Sequence, residues 1–125
     1  MEVGSLTSNN KTVIQAYGDM GFRVSGTQYK GGIITLSNQV IALGVDTFDA
    51  LEANHFSPII KAATDIEILL VGCGARAGVL NQTIKDHLSR AYISVETMDT
   101  GAACRTVNVL QSEDRLVGAL LIPVE

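Results

Sequence analysis

The run Ile66-Glu67-Ile68-Leu69-Leu70-Val71 is nearly continuous aliphatic and stops at Gly72-Cys73-Gly74. Successive side chains of a strand point to opposite faces, so a strand apolar at consecutive positions needs cover on both. That is the property of a central strand in an α/β sheet, and the rest of the chain must supply two covering layers. The residues that follow meet this demand. Asn81 is placed to cap a helix over 82–90, with Ile84, Leu88 and Ala91 on one face. A strand over 91–97 comes next. A second helix opens at Thr100 or Gly101 and runs to about Gln111, with Ala103, Val107 and Leu110 inward. A last strand covers 115–124, ending near Pro123.

The first third reads differently. Phe22-Arg23-Val24-Ser25 alternates apolar and polar, as a half-buried strand does. Gly26 with Thr27 or Gln28 reads as a turn. A second strand over 28–36 is interrupted by Gly31-Gly32, a bulge or bend signal. Residues 40–43 make a third short strand. Residues 49–53 suit a short helical turn, and Ser57-Pro58 an N-cap and first helical position opening 59–63. The first dozen residues, rich in Ser, Thr, Asn and Gly, predict a loose segment over 1–12 ahead of one domain over 13–125. The expected architecture is a single three-layer α/β domain. It has a mixed sheet, N-terminal antiparallel hairpins and a C-terminal β-α-β-α-β unit, with helices mainly on one side. Right-handed crossovers make 66–71 and 91–97 parallel neighbours, so Cys73 and Met98 meet at the sheet edge where open α/β sheets bind ligands.

Composition removes several function classes. The 125 residues fit one core, and 46% apolar content with 18% charged residues disfavours global disorder. The net charge is −4 and the nine basic residues are never adjacent, which argues against neutralising nucleic-acid phosphates or anionic lipid. No stretch approaches the ~20 apolar residues of a membrane helix. The N-terminus lacks a secretory layout and has no arginine, so the expectation is a cytoplasmic protein, or a matrix protein if this is a processed mitochondrial form. Two cysteines, Cys73 and Cys104, without zinc spacing predict reduced thiols.

The catalytic motifs fall short. In Gly72-x-Gly74 the third glycine, Gly78, comes one position late for a dinucleotide fingerprint, although Glu96 lies where a ribose-binding acid would. A tight glycine turn is the simpler reading. Arg76 could meet an anion at a helix start, but Asp99 and Glu96 would repel it. An ion pair of Arg76 or Arg105 with Asp99 or Glu96 is plainer, and Asp99 or Thr100 can cap the following helix. His55 and His87 show no spacing that brings them to a cysteine or forms a metal site, so no catalytic residue, metal or cofactor is expected. Asn108, inside the last helix, is either exposed or tied into a buried network reaching the glycine loop.

The run from Glu96-Thr97-Met98-Asp99-Thr100-Gly101 through Ala102-Ala103-Cys104-Arg105-Thr106-Val107-Asn108-Val109-Leu110 carries a resemblance. It resembles the signature of the small domain family that includes mitochondrial complex I assembly factor 3 and the adipogenesis-associated domain protein of vertebrates. The resemblance extends through Glu113-Asp114-Arg115-Leu116-Val117-Gly118-Ala119-Leu120-Leu121, and back to Leu70-Val71-Gly72-Cys73-Gly74, Gly21-Phe22-Arg23-Val24-Ser25-Gly26 and Tyr29-x-Gly31. It spans about Ile14 to Val124. The family commonly has tyrosine where Val107 stands, tryptophan after the third strand and threonine where Cys73 stands. The resemblance implies a compact three-layer α/β domain, no established enzyme activity and, for mitochondrial members, assembly of NADH:ubiquinone oxidoreductase through protein contacts.

The expected function is therefore a non-catalytic protein-interaction domain, with respiratory-complex subunits as partners and peripheral membrane association through them. The rival is a small-ligand binder, for an anion or nucleotide, or an unrecognised enzyme. The candidate site for ligand or partner comprises Gly72, Cys73, Gly74, Arg76, Glu96, Met98, Asp99, Thr100, Arg105 and Asn108. A concave, partly polar pocket between the glycine loop and Asp99 would favour the ligand; a filled edge would favour the partner.

Overall fold

The computed structural model describes residues 12–125. The expected loose segment lies outside the described residues, except for Thr12. Thr12 is buried, and its hydroxyl is 3.2 Å from Leu36 O while its amide donates to Ser37 O.

Strands β1 (Ile14–Gly18), β2 (Gly21–Val24) and β3 (Thr27–Lys30) form an antiparallel sheet in that order. β1 was not marked by the sequence, because buried Ile14 is followed by three exposed residues and shows no alternation. The β2–β3 turn falls one residue earlier than expected, at Ser25-Gly26, both left-handed. The strand expected over 28–36 is in fact two strands in two sheets. Gly31 (φ +79°) donates to Met20 O at 2.8 Å and Gly32 to Asp46 Oδ1 at 3.0 Å. A Cβ on Gly32 would sit 2.5 Å from Val45 O. The glycine pair is thus the corner where the chain leaves one sheet for the other.

Beyond it, β4 (Ile33–Leu36) and β5 (Gln39–Ala42) pair as a hairpin. Single 3-10 turns at Phe48–Ala50, Ala53–Phe56 and Ala63–Asp65 surround α1 (Ser57–Lys61). Ser57 is not the cap. The preceding 3-10 turn runs straight into α1, so Ser57 is already helical and Phe56 holds the cap position without a side-chain bond. The remainder is β6 (Ile68–Gly72), α2 (Gln82–Arg90), β7 (Ser94–Met98), α3 (Thr100–Ser112) and β8 (Val117–Leu121). Asn81 caps α2 as expected, accepting the Ile84 amide at 2.9 Å. β7 begins later than position 91 because Tyr92, left-handed at φ 60°, closes the helix end first. β8 begins after 115 because Arg115 donates to Leu110 O while the chain turns out of α3 through Asp114 (φ 61°).

The second sheet has the order β5-β4-β8-β6-β7, with β6 parallel to both β7 and β8 and β4 antiparallel to β8. It is the expected mixed sheet, but the helices occupy both faces. The chain moves outward from β6 to β7 through α2, then back across β6 to β8 through α3. Two crossovers of one hand running in opposite directions put their helices on opposite sides. The side chains divide accordingly. Leu69, Val71 and Leu120 pack with Ile84 and Leu88 of α2, whereas Leu70, Ala119 and Leu121 pack with Ala103 and Val107 of α3. Phe22 and Val24 of the small sheet join the α3 side and complete its cover.

Asn108 fastens that small sheet to α3. Its Oδ1 accepts the Ile14 amide at 2.9 Å and its Nδ2 donates to Ile14 O at 2.8 Å. It therefore belongs to a network, but one reaching β1 and not the glycine loop. Replacing Asn108 by Ala removes both bonds and should cost about 1–3 kcal/mol of unfolding free energy in denaturant titration. Amide exchange by NMR should show protection lost first in β1, with the α2 amides less affected; uniform loss would contradict this anchoring role.

Candidate functional site

The exits of the three parallel strands lie side by side. Cys73 donates its amide to Met98 O at 2.8 Å and Ile122 donates to Gly72 O at 2.9 Å, so pairing continues past the sheet in both directions. Cys73 and Met98 thus share one neighbourhood. Fully buried Thr100 ties the corner together. Its Oγ1 donates to Ile122 O at 2.6 Å and accepts the Gly74 amide at 2.9 Å, and its own amide donates to Gly74 O at 2.9 Å. Gly74 has φ +106°, which favours glycine. A Cβ on Gly72 would lie 3.0 Å from Thr100 Cα, so the absent side chain lets the first turn of α3 approach β6.

Asp99 is the N-cap of α3, its Oδ1 accepting the Ala102 amide at 2.8 Å. The residue types at this junction thus have a structural purpose: an acid where a helix dipole is positive, a hydroxyl bridging buried backbone groups, and glycines where backbones touch.

The ion pairs read from the sequence do not form. Among the described residues, neither Arg76 nor Arg105 pairs with Asp99 or Glu96. Arg105 instead donates Nη1 to the Tyr17 hydroxyl at 3.0 Å. Arg76 is exposed in the loop after Gly74, and Glu96 is exposed on the edge strand β7. Met98 packs against the α3-side core.

Neither thiol is poised to react. Burial pushes Cys73 up despite hydrogen bonds from the Gly78 and Met98 backbone, and burial pushes Cys104 up to about 12. The two belong to opposite cores, Cys73 on the α2 side and Cys104 on the α3 side. Among the described residues no group of three or more His, Cys, Asp and Glu could hold a metal ion.

A concavity of about 690 Å³ opens beside the corner. Gly74, Asp99 and Arg105 of the predicted site line it, together with Tyr17, Met20, Gly101, Pro123 and Val124. Gly72, Cys73, Arg76, Glu96, Met98, Thr100 and Asn108 do not. The sequence reading missed Tyr17 and Met20, which arrive from the unmarked β1 and the turn after it. Their one local signal is Gly18-Asp19-Met20-Gly21, a tight-turn composition.

The family described as a protein of unknown function (DUF498/DUF598) matches residues 14–122. NADH dehydrogenase (ubiquinone) 1 alpha subcomplex assembly factor 3 of Danio rerio is 34% identical over 112 residues, covering 90% of this chain and 64% of that protein. The Homo sapiens protein of the same name is 33% identical over 110 residues, covering 88% and 60%. The chain therefore spans less than two thirds of the length of these assembly factors. A Rhodobacter capsulatus protein, itself uncharacterised, is 33% identical over 112 residues, covering 89% of this chain and 84% of that one. Among solved structures, a Bartonella henselae protein described as an outer membrane protein superposes with a TM-score of 0.88 at 35% identity, covering 94% and 98%. A Bordetella pertussis protein described as a Mth938-like domain gives 0.79 at 25%, covering 98% and 91%.

Two outcomes follow from the corner. Thr100→Val keeps the shape but strands the Gly74 amide and Ile122 carbonyl, so denaturant unfolding should show a loss of about 1–3 kcal/mol. An unchanged midpoint would contradict the bridging role. The thiols give a pH effect. Unfolded cysteines release their protons from near 9.0, while folded Cys104 keeps its proton to about 12. Their contribution is intact below about pH 9 and is lost as pH rises toward 12, because the unfolded state then binds fewer protons. Stability should fall over that window, and replacing Cys104 with Ala should flatten the decline.

Proposed function

Because the chain belongs to the DUF498/DUF598 family, and because an assembly factor of NADH dehydrogenase matches nearly all of it, we propose that residues 13–125 act as one non-catalytic protein-interaction domain. Its role is to help a respiratory or other membrane complex assemble. One observation carries this reading: the part shared with the assembly factors is 88–90% of this chain, so what they have in common is this whole α/β body and not a short motif. The raised thiols and the structural use of Thr100 and Asp99 support the non-catalytic side of the proposal.

The partners are subunits or assembly intermediates of NADH:ubiquinone oxidoreductase. Membrane association is peripheral, through those partners; no helix among the described residues is long and apolar enough to cross a membrane. The working compartment is the cytoplasm, or the matrix for a mitochondrial form. Affinity purification of the tagged chain from gently solubilised membranes of its native cells, followed by mass spectrometry, tests this. Subunits of the complex should be enriched over an unrelated tagged control, and native gels of cells lacking the protein should accumulate partial complexes. Recovery of no subunit, with normal complex levels in the deletion, would overturn it.

A further inference from the structure

The concavity beside the corner has a lining that the interaction reading does not use. We propose that it binds a small monocarboxylate with an apolar body, the carboxylate lying against Arg105, the Tyr17 hydroxyl and the Gly101 amide.

The donors converge. Arg105 is exposed and spends one N–H on the Tyr17 oxygen at 3.0 Å, leaving the rest of its guanidinium available. Because that phenol oxygen is the acceptor, its own proton can be donated onward. Gly101 brings the two together over the first turn of α3. A Cβ there would sit 2.7 Å from the Tyr17 hydroxyl and 3.3 Å from Arg105 Nη1, so the bare glycine leaves room for both groups where they lie. The Gly101 amide belongs to the first turn, where no helical acceptor exists, and Asp99 has taken the amide of Ala102 instead. A guanidinium, a phenol and a backbone amide within one small volume suit a carboxylate.

The remaining lining sets the ligand's other end and its charge. Met20, Pro123 and Val124 supply apolar surface. Met20 is held there at φ +59°, a conformation that disfavours methionine, by bonds of 2.8 Å from its amide to Val124 O and from the Gly31 amide to its carbonyl. The residue is 38% exposed. Asp99 and Glu125 also line the space, so it carries two acids against one arginine. That balance weighs against any anion, and about twice as heavily against a phosphate dianion as against a ligand with a single negative charge, so a carboxylate is favoured over a phosphate. A volume of about 690 Å³ suits a small organic acid.

The test is a titration of the 15N-labelled full chain with hexanoate, benzoate and, as a dianionic control, phenyl phosphate, followed by amide shifts. Hexanoate and benzoate should give saturable shifts centred on Gly74, Gly101 and Ala102, with phenyl phosphate weaker. Arg105→Gln should weaken carboxylate binding about tenfold or more, and Tyr17→Phe about threefold. Asp99→Asn keeps a good helix cap, so it should stay folded, tighten carboxylate binding and remove the discrimination against phenyl phosphate. Unsaturated or scattered shifts, unchanged affinity in both Arg105→Gln and Tyr17→Phe, or phenyl phosphate binding as tightly as benzoate to the unmodified chain would each overturn the proposal. These outcomes are separate from the membrane purification, which reports on partners whether or not the concavity is filled.

Discussion

Thr100 Oγ1 lies 2.6 Å from Ile122 O and 2.9 Å from the Gly74 amide, so one buried hydroxyl joins the start of α3 to the exits of β6 and β8. Because Thr100 is fully buried, each backbone group it satisfies would otherwise bear its full desolvation cost. The neighbouring backbone bonds, Cys73 to Met98 and Ile122 to Gly72, extend the same stitching to β7. Strand exits held this way fix where α3 begins, and α3 in turn carries Asn108, which anchors β1. The small three-stranded sheet therefore hangs on the five-stranded one through a helix whose origin a single threonine sets.

The two opposed crossovers account for the two-sided packing. β6 is buried on both faces, with Leu69 and Val71 toward α2 and Leu70 toward α3. One helix is too narrow to cover its whole face of the sheet. On the α3 side, Phe22 and Val24 of the small sheet fill what the helix leaves open over Ile33 and Val117. On the other side the 3-10 turns and α1 contribute Leu51, Phe56 and Ile59 beside Ile84 and Leu88 of α2. The layers are unequal in kind but each completes a helix that could not close its face alone.

The parallel core was legible because its signals are local. The aliphatic run of β6, the Asn81 cap and the inward stripe of α3 each state a period or an end within a few residues, and the crossover rule then makes β6 and β7 neighbours. Family resemblance rested on the same dense region. What escaped was decided by distant contacts. Gly31-Gly32 looked like a bulge because nothing nearby reveals that Asp46 and Met20 hold the two glycines in a corner between sheets. β1 has almost no pattern, since its anchor is Asn108, 94 positions away. The charges at the junction suggest Arg76 or Arg105 pairing with Asp99 or Glu96, yet Arg105 turns to Tyr17. The site residues divided the same way: those gathered by the strand exits came together, while Arg76, Glu96 and Asn108, chosen for their chemistry, lie elsewhere.

The recognisable corner and the concavity beside it obey different constraints. Gly72, Gly74 and Thr100 are fixed by backbone approach and buried hydrogen bonds, so changing them costs stability and nothing about the ligand or partner need be encoded in them. The concavity is bounded by Tyr17, Met20 and Val124, contributed by β1, its turn and the segment after β8. At those positions side chains are partly exposed, and the architecture asks little of them beyond the backbone contact between Met20 and Val124. A relative can therefore keep the whole architecture and the signature while presenting a different surface at the same edge. Fold likeness over nearly the full chain is in that case a statement about the corner, and specificity must be sought in Tyr17, Met20 and Val124.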